Sequence, residues 1–348
     1  MRIVVDINHP AHVHYFKYFI REMEKKGHTI LVTVSDKDIA RQLLDAYDIP
    51  YVLLGSYGKG IIRKILYLPV LDWRMLKAVR DFHPDLFIGF GSVRAAHAGW
   101  LMGKKSIILD DTEQAVLGQM LYKHFASAIL TPAAFQTDFG KKQYRFQGTT
   151  DLLYLHPDRF KPNPDILKQL GLSPGEEFFI VRFTSWDAVH DAGHTGISDR
   201  TAFIRKMERY GRIFITAEDE LPDSLKKYQI TVSPEKIHDL MYYATLFVGE
   251  SPTMATEAAC LGTQSVLMDP EVIRKDGSHV NGVLKYLCGY GILWAYNNEK
   301  DILERVDALL KNPRLKQEGK EIRERIMADN RDAAGELMIF VEKCGIYE

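Results

Sequence analysis

Short β-branched runs alternate with helical segments along most of this chain, and that alternation limits the fold more than any other feature. Ile3-Val4-Val5 reads as a strand, His9 to Lys26 has helical spacing, Gly27 stops the helix, and Thr29 to Val34 is the next strand. A helix over Asp36 to Tyr47, a strand over Tyr51 to Leu54 and a helix over Leu76 to Phe82 continue the series. Strands at Leu86 to Gly89 and Ser106 to Leu109 flank a helix around Ala95 to Met102. Strands separated by crossover helices run parallel, so the pattern predicts an α/β fold with a doubly wound sheet.

The series then breaks and restarts. His156-Pro157, Lys161-Pro162-Asn163-Pro164 and Ser173-Pro174-Gly175 are breakers in close succession. Beyond them Phe178 to Phe183, Ile213 to Ile215, Leu246 to Val248 and Ser265 to Leu267 read as strands with helical segments between. A chain of 348 residues is also too long for one ordinary core. The expected organisation is a Rossmann-like domain over 1–155, a linker over 156–177, a second Rossmann-like domain over 178–325 and a C-terminal helix over 326–348. Two such halves leave a cleft, and ligands of these sheets sit beyond the carboxyl ends of the strands.

Composition removes several classes. Apolar residues at 46% and charged residues at 26% belong to a folded globular protein. Lys plus Arg number 45 against 46 Asp plus Glu, which argues against bulk nucleic-acid binding. Cys260, Cys288 and Cys344 form no CxxC pair, as expected of a reducing, cytoplasmic compartment. The first residues turn polar too soon for a signal peptide, and no apolar stretch nears the roughly 20 residues of a membrane span.

The stretch from Val248 to Gly262 carries the most chemistry. A strand ends, small and hydroxyl residues make a turn, and a helix begins. Free N–H groups and the positive end of a helix suit a phosphate, with Ser251 and Thr253 as hydroxyl donors. Glu257, one turn in, is placed to accept hydrogen bonds from a ribose diol. An ordinary capped helix with a solvated Glu has the same spacing, and spacing alone leaves both readings open.

That stretch resembles the nucleotide-binding helix of GT-B glycosyltransferases and of non-hydrolysing UDP-N-acetylglucosamine 2-epimerases. The resemblance implies that Gly249, Ser251, Thr253 and Met254 hold a diphosphate and that Glu257 holds the ribose. Gly58-Lys59-Gly60-Ile61, His83-Pro84-Asp85, Gly89-Phe90-Gly91, Asp111 to Ala115 and Pro132 to Phe135 are similar in order to the N-terminal domain of the lipid II-forming N-acetylglucosaminyltransferase. As a whole the chain looks most like an uncharacterised, largely archaeal family of unknown function near these enzymes. The implied architecture is GT-B, with UDP-sugar bound by the C-terminal half.

Asn8-His9-Pro10-Ala11-His12-Val13-His14 follows the first strand. In the lipid II enzyme the equivalent loop is glycine-rich and ends in His-Val, which His12-Val13 matches, although Pro10-Ala11 replaces Gly-Gly. A neutral imidazole there takes the proton of an attacking hydroxyl, which makes His12 the candidate base. His9 and His14 are candidate substrate contacts, with helix capping or surface packing as the alternative. Polar neighbours suggest that His12 adds little to the core.

Asp110-Asp111-Thr112-Glu113 follows another strand, and Asp111 and Glu113 are candidates for acid–base work, as the corresponding Glu is in the epimerases. The epimerases, however, carry an Asp where this chain has Gly89 to Ser92, and a Ser-Arg-His-Arg-Glu-like segment where it has Thr184 to Asp187. Transfer therefore outranks epimerisation. Asp187, His190, Asp191 and His194 make no recognised metal signature, nor do His9, His12 and His14. Ser185, Trp186 and His190 are read as substrate contacts and no metal is expected. His279 and Asn281 are expected on the sugar or uracil side.

Residues 59–80 carry Lys59, Arg63, Lys64, Arg74, Lys77 and Arg80 among Ile61, Ile62, Ile65, Leu66, Leu68 and Trp73. Such a face is either a solvated helix surface or a dock for an anionic bilayer, and the resemblance favours peripheral contact with the inner face of the membrane. The combined expectation is an inverting, metal-independent glycosyltransferase without cofactor. It would move a sugar from a UDP-sugar to a saccharide or lipid-linked acceptor of the cell envelope. A UDP-sugar 2-epimerase and a non-catalytic nucleotide-sugar sensor are the alternatives. No GxxxxGK[ST] loop is present, which argues against an ATPase.

Overall fold

Ile3, Val4, Val5 and Ile7 are all fully buried, although successive side chains of a strand point to opposite faces. Only a central strand covered on both sides hides them all, and the parallel α/β sheet provides that cover. The computed structural model describes residues 1–55, 61–173, 175–184, 196–269 and 281–346, with side chains for all of these except 38, 61–65 and 344–346. Contacts divide the chain into two units, Met1–Arg159 with Asn330–Glu348, and Phe160–Asp329.

The first unit runs β1 (Arg2–Ile7), α1 (Pro10–Lys25), β2 (Thr29–Ser35), α2 (Asp38–Ala46) and β3 (Tyr51–Gly55). It continues through α3 (Ile61–Val79), β4 (Leu86–Phe90), α4 (Val93–Leu101), β5 (Lys105–Leu109) and α5 (Val116–Tyr122). Then come β6 (Ala128–Pro132), β7 (Gln143–Phe146) and α6 (Leu152–Leu155). All pairings are parallel, in the order β3-β2-β1-β4-β5-β6-β7. The sequence pattern located the middle of this sheet; β6 and β7 extend it. α3 is also far longer than the helix expected at Leu76 to Phe82, because it continues through Pro69.

The second unit runs α7 (Asp165–Gln169), β8 (Phe178–Phe183), α8 (Arg200–Met207), β9 (Arg212–Ala217), α9 (Ile237–Tyr243) and β10 (Leu246–Gly249). It ends with α10 (Pro252–Leu261), β11 (Gln264–Met268), α11 (Gly282–Gly289), β12 (Leu293–Tyr296), α12 (Glu299–Leu310) and α13 (Leu315–Asp329). Its parallel sheet has the order β12-β11-β10-β8-β9. Phe179, Val181, Val248 and Val266 from the strands pack with Ile204 and Ile302 from the helices to form its core.

The stretch 156–177 is not a free linker, because Phe160 onwards, including α7, belongs to the second unit. Nor is the C-terminal segment one helix. α13 stays with the second unit, where it crosses the end of α10 so closely that a Cβ on Gly319 would lie 2.1 Å from the Gly262 carbonyl oxygen. The chain then turns at Asn330 and returns to the first unit as α14 (Ala333–Ile346), which buries Ala333, Ala334, Leu337 and Val341. Arg159 grips both oxygens of Asp332, with Nη2 2.8 Å from Oδ2, and so fastens the two crossing points of the chain to each other. Cys260 is buried and Cys288 half-buried. Among the described residues no helix is long and apolar enough to cross a membrane.

Candidate functional site

In the second sheet the strand order reverses at β8, which has β9 on one side and β10 on the other. The crevice outside the carboxyl ends of β8 and β10 is therefore the place where this topology leaves room for a ligand. β10 ends on Gly249 because a Cβ there would lie 2.7 Å from both the Cβ and the carbonyl oxygen of Arg182 on β8. Glu250 follows, 3% exposed, and its carboxylate accepts from the Thr184 amide at 2.9 Å and the Ile197 amide at 2.6 Å. Arg200 lies 3.8 Å from the same carboxylate.

Ser251 caps α10, its hydroxyl accepting from the Met254 amide at 3.3 Å, and Pro252 takes the first helical position, where a missing N–H costs nothing. Thr253 and Met254 are half-buried in this first turn. The positive end of the α10 dipole thus faces out at the switch point, as an anion requires. Glu257 is not a solvated surface residue. It is 4% exposed, and its Oε1 accepts from Nε2 of His238 on α9 at 3.0 Å; His238 itself is 1% exposed. Asn281 caps α11 by accepting from the Leu284 amide at 3.0 Å. Ser185, Trp186, His190 and His279, with the rest of the Asp187–His194 group, lie outside the described residues.

The first sheet reverses between β1 and β4. Here Asp6, the one carboxylate within the apolar run of β1, is fully buried. It accepts from Thr33 at 2.8 Å, from Ser92 at 2.5 Å and from the Arg94 guanidinium at 2.9 Å on one oxygen and 3.0 Å on the other. Ser92 also caps α4 through the Ala95 amide. This network locks the carboxyl ends of β1, β2 and β4 to one another.

His12 stands in front of it. It is not in a loop but in the first turn of α1, and it is buried rather than peripheral to the core. Its ring lies 4.9 Å from Phe90, 5.7 Å from Tyr15 and 5.7 Å from His9, and among the described residues its Nδ1 has no hydrogen-bond partner. Burial, followed by the positive charge of His9, Lys37 and Arg94, lowers its pKa well below 6.5. The imidazole is therefore neutral at pH 7 and able to accept a proton. His9 is exposed and acts as the cap of α1, its Nδ1 accepting from the Ala11 amide at 3.2 Å. His14 points to a different group, with its Nδ1 3.3 Å from the Tyr47 hydroxyl and its ring stacked on Tyr154.

The three carboxylates after β5 have separate environments. Asp110 is 2% exposed and accepts from Tyr122, from Gln119 at 3.2 Å and from the Thr112 amide at 2.9 Å; burial pushes its carboxyl up to about 7. Asp111 accepts from the hydroxyls of Thr150 and Thr112, and burial raises its pKa as well. Glu113 is buried and accepts from the Gln136 amide at 3.0 Å. Among the described residues no group of three or more His, Cys, Asp or Glu is arranged to hold a metal ion.

Sequence reasoning passed over Asp6, Arg94, His238 and Glu250. A lone Asp inside β1 was the one local signal, since a polar residue in a buried run must have a partner. His238 and Glu250 gave none, because their partners come from other elements.

With both strand-end sites defined, comparison with known proteins places the fold. A family described as "Protein of unknown function (DUF354)" matches residues 1–332. The chain belongs to this family. An uncharacterised protein of Methanocaldococcus jannaschii, MJ0665, is 23% identical over 317 residues, covering 87% of this chain and 90% of that one. Among solved structures, the UDP-GlcNAc 2-epimerase of Neisseria meningitidis bound to UDP-GlcNAc superposes with a TM-score of 0.67 at 12% identity, covering 99% of both chains. The S. aureus MnaA–UDP structure gives 0.69 at 12% identity, over 98% of this chain and 96% of the other. The spinosyn rhamnosyltransferase SpnG, complexed with spinosyn aglycone, gives 0.61 at 11% identity, over 98% of this chain and all of the other. The fold is thus GT-B, with two Rossmann-like units.

Proposed function

We propose that the chain is an inverting glycosyltransferase that needs no metal and takes its sugar from a UDP-sugar. The observation that carries this reading is the start of α10. A capped helix N-terminus opens at the topological switch point of the second sheet, with a buried carboxylate one turn behind it. The Thr253 amide and the Ser251 hydroxyl would face the diphosphate and Glu257 the ribose hydroxyls. The leaving UDP gathers negative charge as the C1–O bond breaks, and a fixed dipole stabilises it without reorganisation. On the first unit, His12 would take the proton of the acceptor hydroxyl while its oxygen attacks the anomeric carbon. The neutral state that burial imposes on His12 supports that role.

Epimerisation is the second reading, supported by Asp110, whose carboxyl at about 7 is poised to exchange a proton near neutrality. An NMR time course of several UDP-sugars, with and without lipid-phosphate and saccharide acceptors, separates the readings. Acceptor-dependent release of UDP supports transfer. Interconversion of the sugar without acceptor supports the epimerase, and binding without turnover supports a sensor.

Peripheral membrane contact belongs to the same proposal. Large apolar side chains stand exposed on three neighbouring helices: Leu66 and Trp73 on α3, Trp100 and Leu101 on α4, Val116 and Met120 on α5. Over residues 61–80 five Lys and Arg accompany a single Asp, Asp72, which is engaged by His97 at 2.8 Å. Exposed aliphatic and indole groups beside excess positive charge suit an anionic bilayer. Trp73→Ser with Trp100→Ser should abolish cosedimentation with anionic liposomes, and wild-type protein that stays in the supernatant at low salt would rule the contact out.

A further inference from the structure

The nucleotide reading turns on Glu257, yet Glu257 does not stand alone. A buried carboxylate is held in one direction only if something fixes its rotamer and compensates its lost hydration. Here that group is His238. Its Nε2 lies 3.0 Å from Glu257 Oε1, with both side chains almost wholly enclosed. The imidazole is fixed in turn, because the Phe160 ring meets it edge-on at 6.3 Å between centroids. α9 cannot slide against α10, since the Thr263 hydroxyl just beyond α10 donates to the Met241 carbonyl on α9 at 2.7 Å. Among the described residues the apolar core of this sheet is made by other side chains.

We infer that His238 is a positioning residue for the nucleotide, one that aims the Glu257 carboxylate and thereby sets selectivity for ribose over deoxyribose. This rests on the proposed ribose role of Glu257. An ionised carboxylate offers about four acceptor sites, and the bond from Nε2–H occupies one of them. The bond leaves the plane of the carboxylate fixed, so that hydroxyls of a diol meet lone pairs already in place. Without the imidazole the carboxylate loses the donor that fixes its plane, and the 2′-hydroxyl loses an acceptor held in the right direction. His238 touches no substrate in this scheme; its effect passes through Glu257.

The test measures affinity for UDP and for 2′-deoxy-UDP, because a general loosening of the fold weakens both alike. Glu257→Ala should lower UDP affinity roughly 10- to 150-fold, the equivalent of hydrogen bonds to a charged group, and bring the two ligands close to equal. His238→Gln keeps an N–H near the position of Nε2 and should retain most of the selectivity. His238→Asn keeps the polarity but ends short of Glu257, and should lose about as much selectivity as Glu257→Ala. In a Glu257→Gln background, His238→Asn should add no further loss. Equal UDP to 2′-deoxy-UDP ratios in His238→Asn and wild type would overturn the positioning role while leaving the ribose role of Glu257 intact. An unchanged ratio in Glu257→Ala would overturn the ribose reading itself, and this inference with it. His238→Asn and His238→Gln replace one buried polar side chain by another, and melting temperatures near wild type confirm that the comparison is between folded proteins.

Discussion

The two switch points occupy the same place in two similar sheets, yet they are built from opposite materials. In the first unit the strand ends are closed by Asp6 and Arg94, a fully buried ion pair, and the residue in front of them is a neutral imidazole among aromatic rings. In the second unit Gly249 and Ser251 keep the strand end small on either side of Glu250, whose carboxylate is turned inward onto backbone amides, and a second carboxylate is set behind the helix as the Glu257–His238 pair. A helix N-terminus with small residues suits a phosphate. An aromatic surround with a depressed histidine suits an uncharged hydroxyl. On the proposed function, one fold used twice would yield two chemistries through the few residues placed at the end of a single strand.

The largest effect should come from the first site. His12→Phe preserves the ring contacts with Phe90 and Tyr15 and removes the base. Transfer should slow by about 100- to 10,000-fold, the usual share of general acid–base catalysis, with UDP affinity unchanged. Near-normal turnover would break the contrast and move suspicion to Asp111 or Glu113.

Arg94→Met comes next. It leaves Asp6 buried without its cation, and removing one partner of such a pair costs about 3–5 kcal/mol. Denaturant titration should show that loss; a variant within about 1 kcal/mol of wild type would mean that Ser92 and Thr33 suffice to hold Asp6.

Asp110 gives a pH test of the same unit. Its carboxyl stands at about 7 when folded against 3.8 for an ordinary Asp, chiefly through burial. Between these values the folded chain keeps a proton that the unfolded chain has lost, so stability falls as pH rises through about 4 to 7. Asp110→Asn should flatten that slope, its amide still accepting from Thr112 while donating to the Tyr122 oxygen. Melting temperatures of the two proteins that run parallel across that range would remove Asp110 as the source.

The smallest effect belongs to the second site. Ser251→Ala removes the cap of α10 and should cost about 1 kcal/mol of stability. It should also weaken UDP binding modestly, and should leave acceptor binding untouched. A variant that weakened both would erase the division of labour.

How much of this was legible in the chain depends on distance along it. β1, β4, β8 and β10 announce themselves as short apolar runs ended by polar or small residues, and a parallel sheet is implied by their spacing. β7, Gln143–Phe146, is a partly exposed edge strand with two basic or amide side chains, so it carries no apolar run to read. Pro69 reads as a break, yet α3 absorbs it. The helix start at Ser251 was legible because capping is local. The pairs that give the sites their character are not. Asp6 finds Arg94 across 88 positions and Glu257 finds His238 across 19. Composition at each end says nothing about the other.

The return of α14 to the first unit has a consequence for how the protein is made. A chain leaves the ribosome from its N-terminus, and the first 159 residues emerge without the helix that completes their unit. At 5–20 residues per second the wait for α14 lasts roughly 10–35 seconds, during which the second unit emerges whole. The unit encoded first is therefore the unit finished last. Until then the surface that will receive Leu337 and Val341 is open to any passing apolar segment. A nascent chain halted before Asn330 should present a complete second unit beside an unfinished first one.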